Sequence, residues 1–350
     1  MNIVVFNHPE QNITGGHKYN QELYDYLSEI SGITIQYHPL LSKAYKGWTR
    51  LFAPFLELRM LKFIHRGDIV FFCDTTYKYH ALLLPICRFL VGSTNIIIIH
   101  HFTYLGLKGL KRKLFEFVQN MYYKNANIII VPSPFTKDIA EEKLKGMTIE
   151  YVPLPFDNHY KPSSRYNEGE MLFVGAIEPR KGLHLLLEAL NILKRNGNSF
   201  KLNIIGKVVN EQYNQELRNY VSRHNLQSEV FFRGRVSVEE LNDYYSTAEM
   251  FVFPSVLEGY GIVLVEALSH GLPIIAFDNT AMPYTVKHGV NGYLAKNLDS
   301  DDLARQIIKV LSNKSEREKL QKGIQQTLSS VKTLKDFKNA ISLLYNTIRK

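Results

Sequence analysis

At 350 residues, 45% hydrophobic and 21% charged, the chain is too apolar for disorder and too long for one average core, so two domains are expected. Its two cysteines, Cys73 and Cys87, stand in apolar surroundings, which argues against a disulfide framework and for a reducing compartment, with the cytoplasm as the default. The net charge of +9 is concentrated early, since residues 1–165 hold 19 basic against 13 acidic residues.

The N-terminal "MNIVVFNHPEQNITGG" lacks a basic flank and a long apolar run, so Ile3–Phe6 reads as a buried strand rather than part of a signal peptide. Short runs rich in Ile, Val and Phe follow at Ile33–Tyr37, Ile69–Cys73, Asn95–Ile99 and Ile128–Val131. A second series runs through Met171–Val174, Leu202–Ile205, Val230–Phe232, Met250–Phe253 and Pro273–Phe277. Runs apolar on every residue suit parallel strands covered on both faces, and helical patterns lie between them. The alternation predicts a doubly wound α/β architecture made twice. The most apolar passage, "HALLLPICRFLVGSTNIIIIHHF", is broken by Pro85, Arg88 and Gly92 and falls short of the roughly 20 apolar residues of a membrane span. A soluble or peripheral protein is expected.

A proline-rich polar passage, "VPLPFDNHYKPSSRYNEGE", separates the two series and reads as a linker. At the far end, Leu334, Phe337, Ile341, Leu344 and Ile348 fall at helical spacing and define an amphipathic helix that must dock its apolar face elsewhere. The expected units are 1–163, 164–331 and a C-terminal helix, 332–350, packing back on the first.

Two basic stretches of the first half carry exposed-type apolar residues. Ser42–Arg66 mixes Lys43, Lys46, Arg50, Arg59, Lys62 and Arg66 with Tyr45, Trp48, Phe52 and Phe55, and "YLGLKGLKRKLFEF" repeats the style. Such a mixture suits an anionic membrane surface, and equally suits two surface helices whose apolar faces are core. Nucleic acid is disfavoured because no recognised binding motif accompanies the charge.

The stretch "FPSVLEGYGIVLVEALSHGLP" sets Glu258 and Glu266 on either side of a Gly-Tyr-Gly turn. Gly259 and Gly261 permit a tight turn between a strand end and a helix, where free backbone N–H groups and the positive dipole end favour a phosphate. Two carboxylates flanking that turn can accept hydrogen bonds from ligand hydroxyls, which fits a sugar on either side of a diphosphate. A glycosidase acid/base pair would instead face across a bond at about 5 to 9.5 Å, which one turn and its helix do not suggest.

Together with "MLFVGAIEPRKGLHLLLEAL" and "VKHGVNGYLA", this stretch resembles the C-terminal domain of the family-four retaining glycosyltransferases (glycosyl transferases group 1). The resemblance implies the GT-B fold, in which two Rossmann-like domains face across a cleft, the first binding acceptor and the second nucleotide-sugar. It implies that Glu258 contacts donor-sugar hydroxyls, Glu266 the nucleotide ribose, and that Arg180 and Lys181 neutralise the donor diphosphate. Tyr260 lies in the same donor-binding turn. Gly15 and Gly16 match the family's glycine loop, His100 of "NIIIIHHFTY" its active-site histidine, and Ser133 its usual serine. The chain departs from the pattern at Ala176, His101 and Tyr284, where the family often has Arg, Asp and Glu.

The function implied is retaining transfer of a sugar from a nucleotide-sugar to a hydroxyl of a saccharide or lipid-linked acceptor, in surface polysaccharide or glycolipid assembly, with domain closure excluding water. The family likeness implies a hexosyltransferase; the cysteine usage points to the cytoplasm, and the basic, aromatic stretches of the first half point to a peripheral place on the inner face of the plasma membrane. No cofactor or metal is expected. Asp299-Ser300-Asp301 imitates an Asp-x-Asp metal motif but reads as a helix cap with an acidic first turn. A catalytically silent nucleotide-sugar-binding protein is the alternative. A nicotinamide oxidoreductase is disfavoured because neither first strand is followed by Gly-x-Gly-x-x-Gly.

Overall fold

The computed structural model describes residues 1–7, 15–39, 49–156 and 166–349. Tyr45, Trp48, Lys43 and Lys46 of the basic-aromatic stretch, and the middle of the proline-rich passage, lie outside the described residues. The chain packs as two compact units, Met1–Asp157 with Lys332–Lys350, and Asn158–Val331.

In the first unit the elements run β1 (Asn2–Asn7), α1 (Gly15–Ser28), β2 (Thr34–Pro39), α2 (Thr49–Leu56), β3 (Ile69–Cys73), α3 (Tyr77–His80), α4 (Leu83–Ile86), β4 (Thr94–Ile98), α5 (Gly109–Tyr123), β5 (Ile128–Val131), α6 (Pro134–Lys143) and β6 (Thr148–Tyr151). The strands form one parallel sheet ordered β2-β1-β3-β4-β5-β6. Ile97 of β4 and Ile129 of β5 pair in register in its interior, both fully buried. Right-handed crossovers put α1 on one face and the helices from α2 to α6 on the other. On that second face Met60, Leu83, Leu84, Tyr122, Tyr123 and Ala140 close a core over Val70, Phe72 and Ile97.

The second unit continues with β7 (Glu170–Val174), α7 (Leu183–Arg195), β8 (Lys201–Ile205), α8 (Glu211–Arg223), β9 (Val230–Gly234), α9 (Val238–Thr247), β10 (Met250–Phe253), α10 (Ile262–Ser269), β11 (Ile274–Phe277), α11 (Met282–Thr285), β12 (Gly292–Ala295), α12 (Ser300–Val310) and α13 (Lys314–Ser330). Its parallel sheet is ordered β12-β11-β10-β7-β8-β9. Finally, α14 (Leu334–Arg349) buries Phe337, Ile341 and Leu344. It rejoins the first unit, where the Phe337 ring meets Tyr19 and Tyr26 of α1 edge-on and Thr347 Oγ1 donates to Glu150.

All ten expected strands form, with ends that differ by at most two residues. β6 and β12 were not expected: "TIEY" is a polar strand whose residues are exposed or half-buried, and "GYLA" is short and begins with glycine. Gly292 is needed where it stands, because a Cβ there would meet Ile274 O at 2.0 Å.

Candidate functional site

In the second sheet the chain leaves β7 toward β8 and β9 on one side and adds β11 and β12 on the other, so the order reverses between neighbouring β7 and β10. Loops diverge at such a switch point and open a crevice beyond the strand ends. The β7 loop carries Glu178, Arg180 and Lys181 in a 3-10 turn (Pro179–Lys181), and the β10 loop carries Ser255 and Glu258. Gly182 locks the two loops together. Its φ is +70°, and a Cβ there would sit 2.0 Å from Pro254 O. Val256 N–H donates to Arg180 O at 2.8 Å across the same junction.

Glu258 is the hub of this junction. Its Oε1 accepts from Lys181 Nζ, from Arg180 Nη1 at 3.2 Å and from Ser255 Oγ at 2.9 Å, while its backbone N–H donates to Thr280 Oγ1 at 3.2 Å. Burial alone would push the Glu258 carboxyl up, but Lys181 and Arg180 outweigh it and hold its pKa below the usual range. Burial pulls Lys181 the other way and Glu258 opposes it. The Lys181 ammonium also lies 4.9 Å from the Phe253 ring centroid. Arg180 is more open and spans Glu258 and Glu178, whose Oε1 lies 2.7 Å from Arg180 Nη2. A solvated helix start would account for neither the burial of Lys181 nor the convergence of both cations on one carboxylate.

Gly259 and Tyr260 form the bend after Glu258, and Gly261, with φ +81°, opens α10. Glu266, on the second turn of α10, accepts from Tyr245 OH at 3.0 Å. Tyr245 is stacked on His270 at 5.0 Å, so the glutamate is aimed by a packed aromatic pair. Asp299 accepts from Asp302 N–H at 2.9 Å and caps α12.

In the first unit, β4 delivers His100 beside the start of α1. A Cβ on Gly16 would lie 3.2 Å from the His100 ring, so the glycine is what lets the helix approach. His100 Nε2 is 2.9 Å from Asn20 Oδ1, and Tyr19 meets the imidazole edge-on at 5.5 Å. With Asn20 Oδ1 as acceptor, Nε2 carries the proton and Nδ1 stays bare. Burial pulls the His100 pKa down to about 4, against the opposing charge of Asp74, so the ring is neutral at pH 7. Asp74, fully buried at the end of β3, accepts from His101 N–H at 3.2 Å and lies 3.6 Å from His101 Nδ1. It brings a carboxylate to the His100-His101 pair from a neighbouring strand. Gly15 is the first residue of α1. Ser133 caps α6 by accepting from Thr136 N–H at 3.0 Å.

Residues 157–327 match the family described as glycosyl transferases group 1. That match spans just under half of the chain, and through it the second unit resembles that family. An uncharacterized glycosyltransferase of Methanocaldococcus jannaschii is 32% identical over 251 residues, 71% of this chain and 64% of that protein. The chain therefore spans less than two thirds of that curated relative. A GDP-mannose-dependent alpha-(1-6)-phosphatidylinositol monomannoside mannosyltransferase of Mycobacterium tuberculosis is 24% identical over 310 residues, 83% of this chain and 77% of that one. Among solved structures, the sucrose-phosphate synthase of Thermosynechococcus elongatus aligns over 99% of both chains, with a TM-score of 0.80 at 18% identity. The fold is GT-B.

Sequence reading singled out Arg180, Lys181 and Glu258, and the fold brings them together; it also brings Gly16 to His100. It missed Ser255, Glu178, Tyr245, Asn20 and Asp74. Ser255 stood inside the quoted stretch, three residues before Glu258, and was the one with a local signal.

Proposed function

We propose that the protein is a retaining glycosyltransferase that moves a sugar from a nucleotide-sugar to a hydroxyl of a saccharide or lipid-linked acceptor, in polysaccharide or glycolipid assembly. The observation that carries this reading is the convergence of Arg180, Lys181 and Glu258 at the β7/β10 switch point. A donor diphosphate placed at the N-terminus of α10 would draw both cations, whose charge is best used on the phosphate as it departs. Glu258, kept ionised, would accept from hydroxyls of the donor sugar, and Glu266 from those of the ribose. We propose that these cations and the helix N-terminus meet the diphosphate charge with no metal or cofactor. The name of the Mycobacterium tuberculosis relative, which specifies GDP-mannose and a phosphatidylinositol mannoside, supports a nucleotide-sugar donor.

In the proposed step the bond from the anomeric carbon to the phosphate oxygen breaks, and the acceptor oxygen bonds to that carbon on the same face. The acceptor proton passes to the departing phosphate oxygen. His100, neutral and with Nδ1 bare, is proposed as a hydrogen-bonding group of the active site rather than a proton donor. A cytoplasmic setting is proposed because a sequence with only two cysteines, Cys73 and Cys87, suits a reducing compartment. Among the described residues no helix is long and apolar enough to cross a membrane.

The test is the anomeric configuration of the product, read by NMR after reaction of an α-linked nucleotide-sugar with a hydroxyl acceptor. An α product supports retention. A β product overturns it, and donor binding without any product across acceptor panels would favour a silent binding protein.

A further inference from the structure

We propose that the outer face of α5, with the adjoining turn at Phe89 and Leu90, is a docking surface for an anionic lipid bilayer. On α5, Leu110, Leu114, Phe117, Val118 and Met121 recur at spacings of three and four, one continuous stripe. The stripe faces outward: Leu110 is 83% exposed and Phe117 62%. The opposite side of the same helix, with Gln119, Tyr122 and Tyr123, is the one that packs on the sheet. An ordinary surface helix turns its polar side to water, and here the side turned outward is apolar.

Charge decides the occupant. Lys111 and Lys113 flank the stripe at about 100° and 300° around the helix when Leu110 is set at zero. Residues 108–124 hold five basic residues against Glu116 alone, and Glu116 is already paired with Lys143 at 3.1 Å. The turn at Cys87–Val91 is tied to the end of α5, because Arg88 Nη1 donates to Lys124 O at 2.8 Å and to Ala126 O at 2.9 Å. That tie sets the 80%-exposed Leu90 and the exposed Phe89 beside the helix end. A second copy of the chain is disfavoured, since a two-fold contact would lay one lysine-bordered face on another of the same sign. An apolar stripe with lysine borders fits acyl chains below and anionic headgroups at the edges.

The inference deepens the proposed function, on which it rests for the idea that acceptors are met at the lipid surface. Vesicle binding itself needs neither donor nor transfer, so its failure would leave that reading standing. The experiment is flotation of the full chain with vesicles of phosphatidylcholine alone or mixed with phosphatidylglycerol, at low and high salt. Variants are Leu114→Ser with Phe117→Ser, and Lys111→Gln with Lys113→Gln, all at exposed positions, with folding checked by circular dichroism. Wild type is expected on the mixed vesicles and only weakly on the neutral ones. The lysine pair should weaken partitioning about 25-fold, fivefold per charge or about 1 kcal/mol each. The apolar pair should weaken it roughly tenfold or more. Wild type that ignores the mixed vesicles, or an apolar pair that binds as wild type does, overturns the proposal. So does a concentration-dependent dimer, abolished by the apolar pair, in a protein that binds no vesicle, which would give the face to a second copy.

Discussion

Replacing Glu258 with alanine should unbalance the second unit in a way that identifies Lys181 as the cause. Lys181 and Glu258 are each 9% exposed, so removing the carboxylate leaves an ammonium with its charge uncompensated in a site that water barely reaches. Removing one partner of a buried pair costs about 3–5 kcal/mol. The Arg180 side chain is 42% exposed and keeps Glu178, so it adds little to that sum. For a unit of this size the loss corresponds to a fall in melting temperature of roughly 6–20 °C. Glu258→Ala combined with Lys181→Met should recover most of it, since no buried charge then remains. Scanning calorimetry of the wild type, both single variants and the double variant gives the coupling directly. A Glu258→Ala loss below about 1 kcal/mol, or a double variant whose loss is the sum of the two single ones, would refute the reasoning.

Three further outcomes are expected. Gly182→Ala should destabilise the second unit by more than the roughly 1–2 kcal/mol that a left-handed φ costs alanine, because the added Cβ meets Pro254 O at 2.0 Å; urea unfolding measures it, and a smaller loss would mean the loops are not locked there. His80 and His100 have their pKa values pulled down by burial from 6.5 to about 3 and about 4, so their stabilising neutrality is whole above pH 6.5 and is lost as pH falls from there. Each should cost the first unit about 2 kcal/mol between pH 7 and pH 5, and His80→Leu, which removes a ring with no hydrogen-bond partner for either nitrogen, should flatten half of that slope in calorimetry. In Asp74→Asn, the His100 imidazole should titrate lower than in the wild type by NMR, because Asp74 raises its pKa; a higher value would mean the carboxylate does not act on that ring.

What the sequence made legible follows from range. The strands Ile128–Val131 and Met250–Phe253 are apolar on every residue because parallel strands are covered on both faces, and a local run suffices to show it. The edge strands β6 and β12 have one neighbour each and no such run. The turn from Glu258 to Gly261 was legible because glycine spacing is local chemistry, and α10 spans Ile262–Ser269 as its pattern indicates. Asp74 was invisible, since its contact with His101 joins positions 27 apart through the pairing of β3 with β4. On α5, the sequence showed a basic and apolar mixture that suited either a membrane or a core face; Phe115, Tyr122 and Tyr123 offer a second apolar side, and only the packing shows which one the sheet took.

The most direct test of the central claim is a thermal-shift comparison of wild type with Arg180→Ala against UDP-, GDP-, ADP- and dTDP-sugars. Arg180 is exposed enough for the variant to fold, and a ligand at a hundredfold its Kd stabilises by about 2.7 kcal/mol. The account predicts a shift with one nucleotide class in the wild type that falls away in Arg180→Ala. An equal shift in both proteins would contradict the placement of the donor diphosphate at the β7/β10 switch point.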